Sequence, residues 1–471
     1  MSHPVRGMAV LPLRDWVLAF TLTLVVLGGF WLRATPSTLI DFDDQFYLGV
    51  AYDIRHEGVF TNGYVFSDPN SGPIRPKGMF FAPLYPAFLA VIGSLDAEFG
   101  RAMDCTVESH AAHDAGCPRD ARLLNAVQFC MAVSVHLLIV YIATVVTASR
   151  RVAWLTLASL LATGSTLIGP ARYAMTEVPT VFFVVACMAA VVAATNSSHK
   201  TRWLAAAGVL LSMAALVRPN FLYLFLACCL AGVVMTIVRR EREQAYGMFL
   251  AFAVGGAVTL APWIARNAIV FGIPALTHGY DAHVLVQRVA FNQMTWAQYP
   301  QSLVCWLPDG KGTGSLLFGK GTCDVFDWGP GSFYDAGNST FKEASIAAAG
   351  GKANLFAWLL RNEVLGNPVK HALVTVSFAL RGAWINHYWG LLGFLCGVFY
   401  TARALRRFDT PFLIISIPGW FMLMFNAAVS VNQPRYNLML VVPFAISIAT
   451  AADKLISDLN GWRVQRRLAR A

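Results

Sequence analysis

Apolar residues in this chain do not alternate with polar ones; they come in long runs. "WVLAFTLTLVVLGGFWL" is the first, and runs of similar length recur almost to the end. About 20 consecutive apolar residues span a bilayer as a helix, whereas a membrane β-barrel reads as short alternating segments. The pattern predicts about ten spans, near 16–34, 121–146, 152–169, 176–195, 203–217, 219–238, 247–268, 386–402, 411–430 and 437–456. Long polar stretches fill the gaps to about 120 and over about 270–385. Two further apolar stretches are ambiguous. "MFFAPLYPAFLAVIGSL", over 79–95, is short and interrupted by Pro83 and Pro86, so it reads as a re-entrant or juxtamembrane helix. "VKHALVTVSFALRGAW" is of similar length. The predicted fold class is an all-α polytopic membrane protein with about 10–13 transmembrane helices.

Composition agrees: 56% of the 471 residues are hydrophobic and 13% are charged, against about 25% charged in soluble domains. The net charge of +10 is not spread along the chain. It sits between the apolar runs, at Arg150 and Arg151, Lys200 and Arg202, Arg239, Arg240 and Arg242, Arg403, Arg406 and Arg407, and in the tail "RVQRRLARA". Short basic loops mark the cytoplasmic side. This accounts for the charge without nucleic acid, and places both ends of the chain inside and both long polar stretches outside. The first run lacks a small-x-small cleavage site, so it reads as a span rather than a signal peptide.

The cysteines support this sidedness. Cys105 and Cys117 fall in the first outside stretch and Cys305 and Cys323 in the second, which predicts one disulfide in each. The segment "DGKGTGSLLFGKGTCDVFDWGPGSFYDAGNST" is rich in glycine and aromatics and predicts an ordered, irregular lid or binding loop. Its "GKGTGS" lacks the spacing and preceding strand of a phosphate-binding loop.

Candidate chemistry gathers at the outside ends of the spans. "LIDFDDQFYLGVAYD" sets Asp41, Asp43 and Asp44 directly after the first span, where acids are costly unless water or a partner reaches them. "IRPKGMFFAPLYP" carries Arg75 and Lys77, "ARYAMTEVP" carries Arg172 and Glu177, and "ALVRPN" carries Arg218. "APWIARN" carries Arg266, and "NQPRYN" carries Arg435 and Tyr436. Any one of these arginines has an ordinary explanation, in snorkelling or a turn. Together, acids and guanidiniums at one surface suit glycosyl transfer from a lipid-phosphate sugar. A carboxylate takes the acceptor's proton, and fixed cations stabilise the leaving phosphate.

These stretches resemble the GT-C superfamily of integral-membrane glycosyltransferases, nearest the protein mannosyltransferase and aminoarabinose-transferase-like group. The resemblance rests on "DDQFYLGVA", with Asp43 and Asp44 as the acidic pair, then "RPKGMFFAPLYPAFLAV", "ARLLN", "ARYAMTEVP", "VRPN", "PWIARNAIVFGIP" and "PRYNLMLVVP" in that order. It covers 16–280 well and 430–450 less well. It implies an inverting transfer with Asp43 as base and Asp44 as acidic partner. It also implies a polyprenyl-phosphate sugar donor and a lipid, glycan or protein acceptor. Arg75, Lys77, Arg172, Glu177, Arg218, Arg266, Arg435 and Tyr436 are then the candidates for binding donor phosphate and substrate. Lys77 resembles the basic residue of a Lys-Pro-Pro stretch, although Gly78 and Met79 replace the prolines. Asp41 has no counterpart and reads as a helix cap. No obligatory metal is implied; clustered acids leave a divalent ion possible.

The expected organisation is a transmembrane module over 1–270 with a first periplasmic loop at 35–120, a loop or lid region over 271–385, and C-terminal helices over 386–471. The expected location is a bacterial inner membrane, with the site facing the periplasm. Two other functions fit intramembrane charge: a transporter or flippase of an anionic lipid-linked substrate, and a non-catalytic assembly protein. The lack of internal repeats and the two long outside stretches weigh against a transporter.

Overall fold

The computed structural model describes residues 11–33, 43–66, 75–108, 116–118, 120–238 and 242–468. Asp41, and Arg239 and Arg240 of one basic cluster, lie outside the described residues. Among those described, eight helices are long and apolar enough to cross a membrane. They are Leu13–Arg33, Arg122–Thr147, Glu177–Asn196, Lys200–Val217, Phe221–Val238, Glu243–Phe271, Thr410–Val429 and Pro434–Arg466. The bent pair Arg150–Ala162 and Thr166–Arg172 makes a ninth if it is one span. The segment predicted near 386–402 is the helix Tyr388–Arg407, whose last turns carry Arg403, Arg406 and Arg407 and so shorten its apolar stretch. The protein is an all-α integral membrane protein.

Both ambiguous stretches are helices too short to span. Leu84–Leu95 has 12 residues and Pro368–Ala383 has 16, against about 20 needed. Among the described residues the only β pairing is an isolated antiparallel bridge between Thr61 and Lys77.

The chain divides into two compact units. The first comprises Met1–Leu276, Leu395–Ile417 and Val441–Ala471. Its helices approach closely where side chains are small. A Cβ on Gly208 would stand 2.0 Å from the Phe252 carbonyl oxygen, and one on Gly255 would stand 2.4 Å from that of Ala205. These glycines let Lys200–Val217 and Arg242–Phe271 pack backbone to backbone, as membrane helices do. At one end of this unit Arg150 donates to the buried Asp15 at 2.8 Å, and Arg151 to Asp453 at 3.2 Å. The long helices reverse direction in turn, so residues 170–177, Arg218 and the last turns of Arg242–Phe271 belong to the other end.

The second unit comprises Thr277–Phe394 and Pro418–Leu440. The expected irregular lid is ordered, but it is built mostly of short helices: Tyr280–Ala290, Gln298–Cys305, Gly310–Phe318, Phe333–Asn338 and Thr340–Ala348. Glycines and caps break the chain into short helices without unravelling it; Ser332, for example, accepts from the Asp335 amide. Leu285, Val286, Val289, Leu355 and Leu359 form a local core. Cys305 pairs with Cys323, as Cys105 pairs with Cys117 in the first unit.

Candidate functional site

In the first unit the helix Asp44–Glu57 carries the acidic pair at its start. Asp43 is partly exposed and makes no capping hydrogen bond from its side chain. Asp44, one residue on, is fully buried. The adjacent acids therefore occupy different environments, as successive helical positions 100° apart dictate. Beneath them Leu48, Ala51, Tyr85, Leu89, Phe99, Met103 and Leu124 pack into one core. Tyr47 meets the edge of Tyr85 at 5.3 Å. Asp44 and Glu177 both act electrostatically on the Tyr85 phenol, and Arg218 lies 3.6 Å from the Glu177 carboxylate.

A second assembly pins the segment that follows the helix. Asp53, buried within it, accepts hydrogen bonds from both the Thr61 hydroxyl and Arg75. Burial pushes the Asp53 carboxyl above its ordinary value; Thr61 and Arg75 pull the other way without cancelling that effect. The Thr61–Lys77 bridge lies alongside, and the Gly78 amide donates to the Phe60 carbonyl at 2.8 Å. Phe80 donates to Asn62 at 3.0 Å. A Cβ on Gly78 would lie 2.1 Å from Asn62 Oδ1, so this crossing excludes any side chain. Arg266 closes it, donating to the Gly78 carbonyl at 2.6 Å and the Phe60 carbonyl at 3.3 Å while stacking over Trp263 at 4.7 Å.

Residues 80–284 match the family described as dolichyl-phosphate-mannose-protein mannosyltransferase. In architecture the chain is similar to the Archaeoglobus fulgidus oligosaccharyltransferase. One such structure, tethered to an acceptor peptide containing an NVT sequon, aligns with a TM-score of 0.52 at 13% identity, over 94% of this chain and 50% of that one. Another, AglB in complex with an inhibitory peptide and a dolichol-phosphate, aligns at 0.51 and 12% identity, over 96% and 52%. The fold is that of the GT-C glycosyltransferases. ArnT from Cupriavidus metallidurans bound to undecaprenyl phosphate aligns at 0.42 and 14% identity, over 93% of this chain and 77% of that one. A comparison with curated proteins returns no match. The chain spans about half the length of the oligosaccharyltransferases it resembles.

Within this GT-C fold the candidate cations are distributed among distinct partners. Arg75 is engaged by Asp53, Arg218 by Glu177 and Arg266 by backbone carbonyls. Arg172 ends the 3-10 turn Pro170–Arg172 and lies 5.6 Å from the Trp31 ring; Gln128 holds that turn through the Ala171 and Tyr173 carbonyls. The Lys77 side chain is exposed. Arg435 and Tyr436 belong to the second unit, with the guanidinium 5.4 Å from the ring. Three groups were missed from sequence. Asp53 lies inside the quoted acidic stretch but reads as one more helical polar residue. Tyr85 reads as apolar core. Arg381 is the lone charge late in "VKHALVTVSFALRGAW", a run whose role was ambiguous.

Proposed function

We propose that this chain is an inverting glycosyltransferase. It moves a sugar from a polyprenyl-phosphate donor to a hydroxyl of an envelope glycolipid, polysaccharide or protein, at the periplasmic face of a bacterial inner membrane. Asp43 is the general base. The observation that carries this reading is the contrast between two adjacent acids: Asp43 is partly exposed at the start of its helix, whereas Asp44 is buried near Tyr85 and Glu177. Asp43 takes the proton of the acceptor hydroxyl. The freed oxygen bonds to the anomeric carbon, the bond from that carbon to the phosphate oxygen breaks, and polyprenyl phosphate leaves. Asp44, with Tyr85, Glu177 and Arg218, fixes the helix start from below. Lys77, exposed beside the pinned crossing, is the cation best able to meet the leaving phosphate, with Arg172 as a second. Arg75 and Arg266 hold the crossing in place. The family match over 80–284 and the fold support the reaction class.

The reading names no obligatory metal and leaves a divalent ion open. One archaeal oligosaccharyltransferase structure is a complex with Zn and sulfate. Here, among the described residues, no group of three or more His, Cys, Asp or Glu side chains could hold an ion.

The test is sugar transfer by the purified full chain from a polyprenyl-phosphate sugar to a panel of lipid, glycan and peptide acceptors. Asp43→Asn should lower the rate by about 10²-fold or more with folding and donor binding intact. Transfer at the wild-type rate in Asp43→Asn removes Asp43 as base. No turnover across the panel favours a transporter or an assembly protein.

A further inference from the structure

Two arginines in the second unit touch the same aromatic ring and are treated in opposite ways. Arg288 is fully buried and lies 5.1 Å from the Phe378 ring. Every nitrogen of its guanidinium donates: Nε to the Ala427 carbonyl at 2.7 Å, Nη1 to Asn292 at 3.1 Å, and Nη2 to the His371 carbonyl at 3.1 Å and Thr375 at 2.9 Å. Each of its three nitrogens thus has a partner, as a buried structural arginine needs.

Arg381 lies on the same helix, Pro368–Ala383, as the His371 and Thr375 acceptors. Its guanidinium is 5.1 Å from the Trp306 ring, 4.8 Å from Trp328 and 5.9 Å from Phe378. Among the described residues no carbonyl or side chain accepts a hydrogen bond from it, and no carboxylate lies within ion-pairing distance. Three aromatic rings therefore surround the cation, while its N–H groups lack the acceptors that Arg288 has. Asp327 and Tyr436 act on it electrostatically, and burial brings the guanidinium down to about 10, so it stays charged at neutral pH. Asp327 itself is engaged by Lys311.

The rings around Arg381 are held in place. Trp306 follows the bridged Cys305, stacks on Phe378 at 4.8 Å and donates its indole N–H to the Phe326 carbonyl at 3.3 Å. Trp328 is 38% exposed and meets the edge of Tyr334 at 4.5 Å. A guanidinium edge matches phosphate and carboxylate oxygens as a fork. An exposed indole face offers an amphipathic ring something apolar to lie on.

We propose that the second unit carries a substrate subsite at Arg381, flanked by Trp306 and Trp328, for a saccharide bearing an oxyanion, either a phosphate or a carboxylate. The ligand's identity as a substrate rests on the glycosyltransferase reading; the binding itself does not. The oxyanion takes the N–H groups of Arg381, and the sugar ring lies against Trp328.

The test is equilibrium binding to the purified full chain, followed by saturation-transfer NMR, with glucose, glucose 6-phosphate, glucuronate and inorganic phosphate as probes. Glucose 6-phosphate or glucuronate should bind roughly tenfold or more tightly than glucose and than phosphate alone, and the arm that binds identifies the oxyanion. Arg381→Gln and Trp328→Ala should each weaken that binding by about tenfold. Arg381→Lys keeps the charge and loses the fork, so it carries the test if Arg381→Gln does not fold. Equal binding of glucose and its anionic forms overturns the proposal, as does unchanged binding in Arg381→Gln and Arg381→Lys. The two readings fail separately. Anionic-sugar binding that survives in a chain with no turnover removes the transferase and leaves the subsite standing, and transfer without such binding does the reverse.

Discussion

Arg75 is paired with the carboxylate of Asp53, 22 positions earlier in the chain, and Asp53 is 3% exposed. The pair joins the helix Asp44–Glu57 to the segment carrying Lys77. Arg75→Ala leaves a carboxylate in a site whose burial already disfavours its charge, and removing one partner of a buried pair costs about 3 kcal/mol. The expected result is a lower thermal midpoint for Arg75→Ala. Part of it should return in the Arg75→Ala/Asp53→Asn double variant, where no charge is stranded. A wild-type midpoint in Arg75→Ala, combined with lost donor binding, assigns Arg75 to the ligand instead.

Gly78 stands where the resemblance supplies a proline, and the crossing explains why. Its amide donates to the Phe60 carbonyl, which proline cannot do. Its missing side chain leaves room for Asn62. Gly78→Pro and Gly78→Ala should both lower the thermal midpoint, and proline should do so more because it also loses the hydrogen bond, worth about 1 kcal/mol. Arg266→Gln loosens the same crossing from the helix side. Limited proteolysis near residues 60–80 should rise in all three variants; a pattern unchanged from wild type in Gly78→Pro would falsify the crossing.

Stability of the second unit should fall as acid is added, and His371 is one cause. Its Nδ1 accepts from Asn292 at 3.4 Å, and burial, with Arg288 nearby, lowers its pKa to about 4. His283 is likewise lowered to about 4, by burial first and by Lys342 second. The sign follows from proton uptake. Between the ordinary histidine value of about 6.5 and the folded value, the unfolded chain binds protons that the folded chain refuses. Stability is therefore full above about pH 6.5 and declines towards pH 4. For His371, solvent at the ring's exposed edge reduces the effect to on the order of 1–2 kcal/mol. Glu363 faces the same Asn292 through its carbonyl, and burial raises its own carboxyl; that group contributes in the opposite direction, losing stability as pH rises. His371→Gln should flatten the thermal midpoint between pH 6.5 and 4, and an unaltered slope would assign the acid sensitivity to other groups.

The membrane helices were legible because a bilayer demands unbroken apolar length, and Leu13–Arg33, Arg122–Thr147 and Glu177–Asn196 fall within a few residues of their predicted spans. The disulfides were legible from sidedness. The site was legible only as a set of residue types at one end of the bundle. Sequence brings Arg75, Arg218 and Arg266 forward as equals, but it cannot show that their partners are Asp53, Glu177 and two carbonyls. Those partners come from the pairing of distant segments, as in the meeting of Phe60 with Gly78. Arg381 was hidden for the same reason: its significance lies in Trp306 and Trp328, 75 and 53 positions away by the numbering.

The Cys305–Cys323 bridge closes a loop with a sequence separation of 18, and the helix Gly310–Phe318 lies directly against it. A Cβ on Gly314 would be 2.4 Å from Cys323 Sγ and 2.9 Å from Cys305 Sγ. The bridge therefore does two things. It limits the unfolded chain, worth about 3 kcal/mol for a loop of this size, and it gives the helix a surface to pack on. The two contributions separate experimentally. Cys305→Ser/Cys323→Ser removes the tie and should lower the thermal midpoint of the second unit by several degrees. Gly314→Ala leaves both cysteines in place and forces the helix off the sulfurs, so it tests packing alone. Trp306 adjoins the bridge and lies 5.1 Å from Arg381, so both changes should also weaken anionic-sugar binding. A double serine variant with a normal midpoint and normal binding would show that aromatic packing on Phe378 alone holds Trp306 in position.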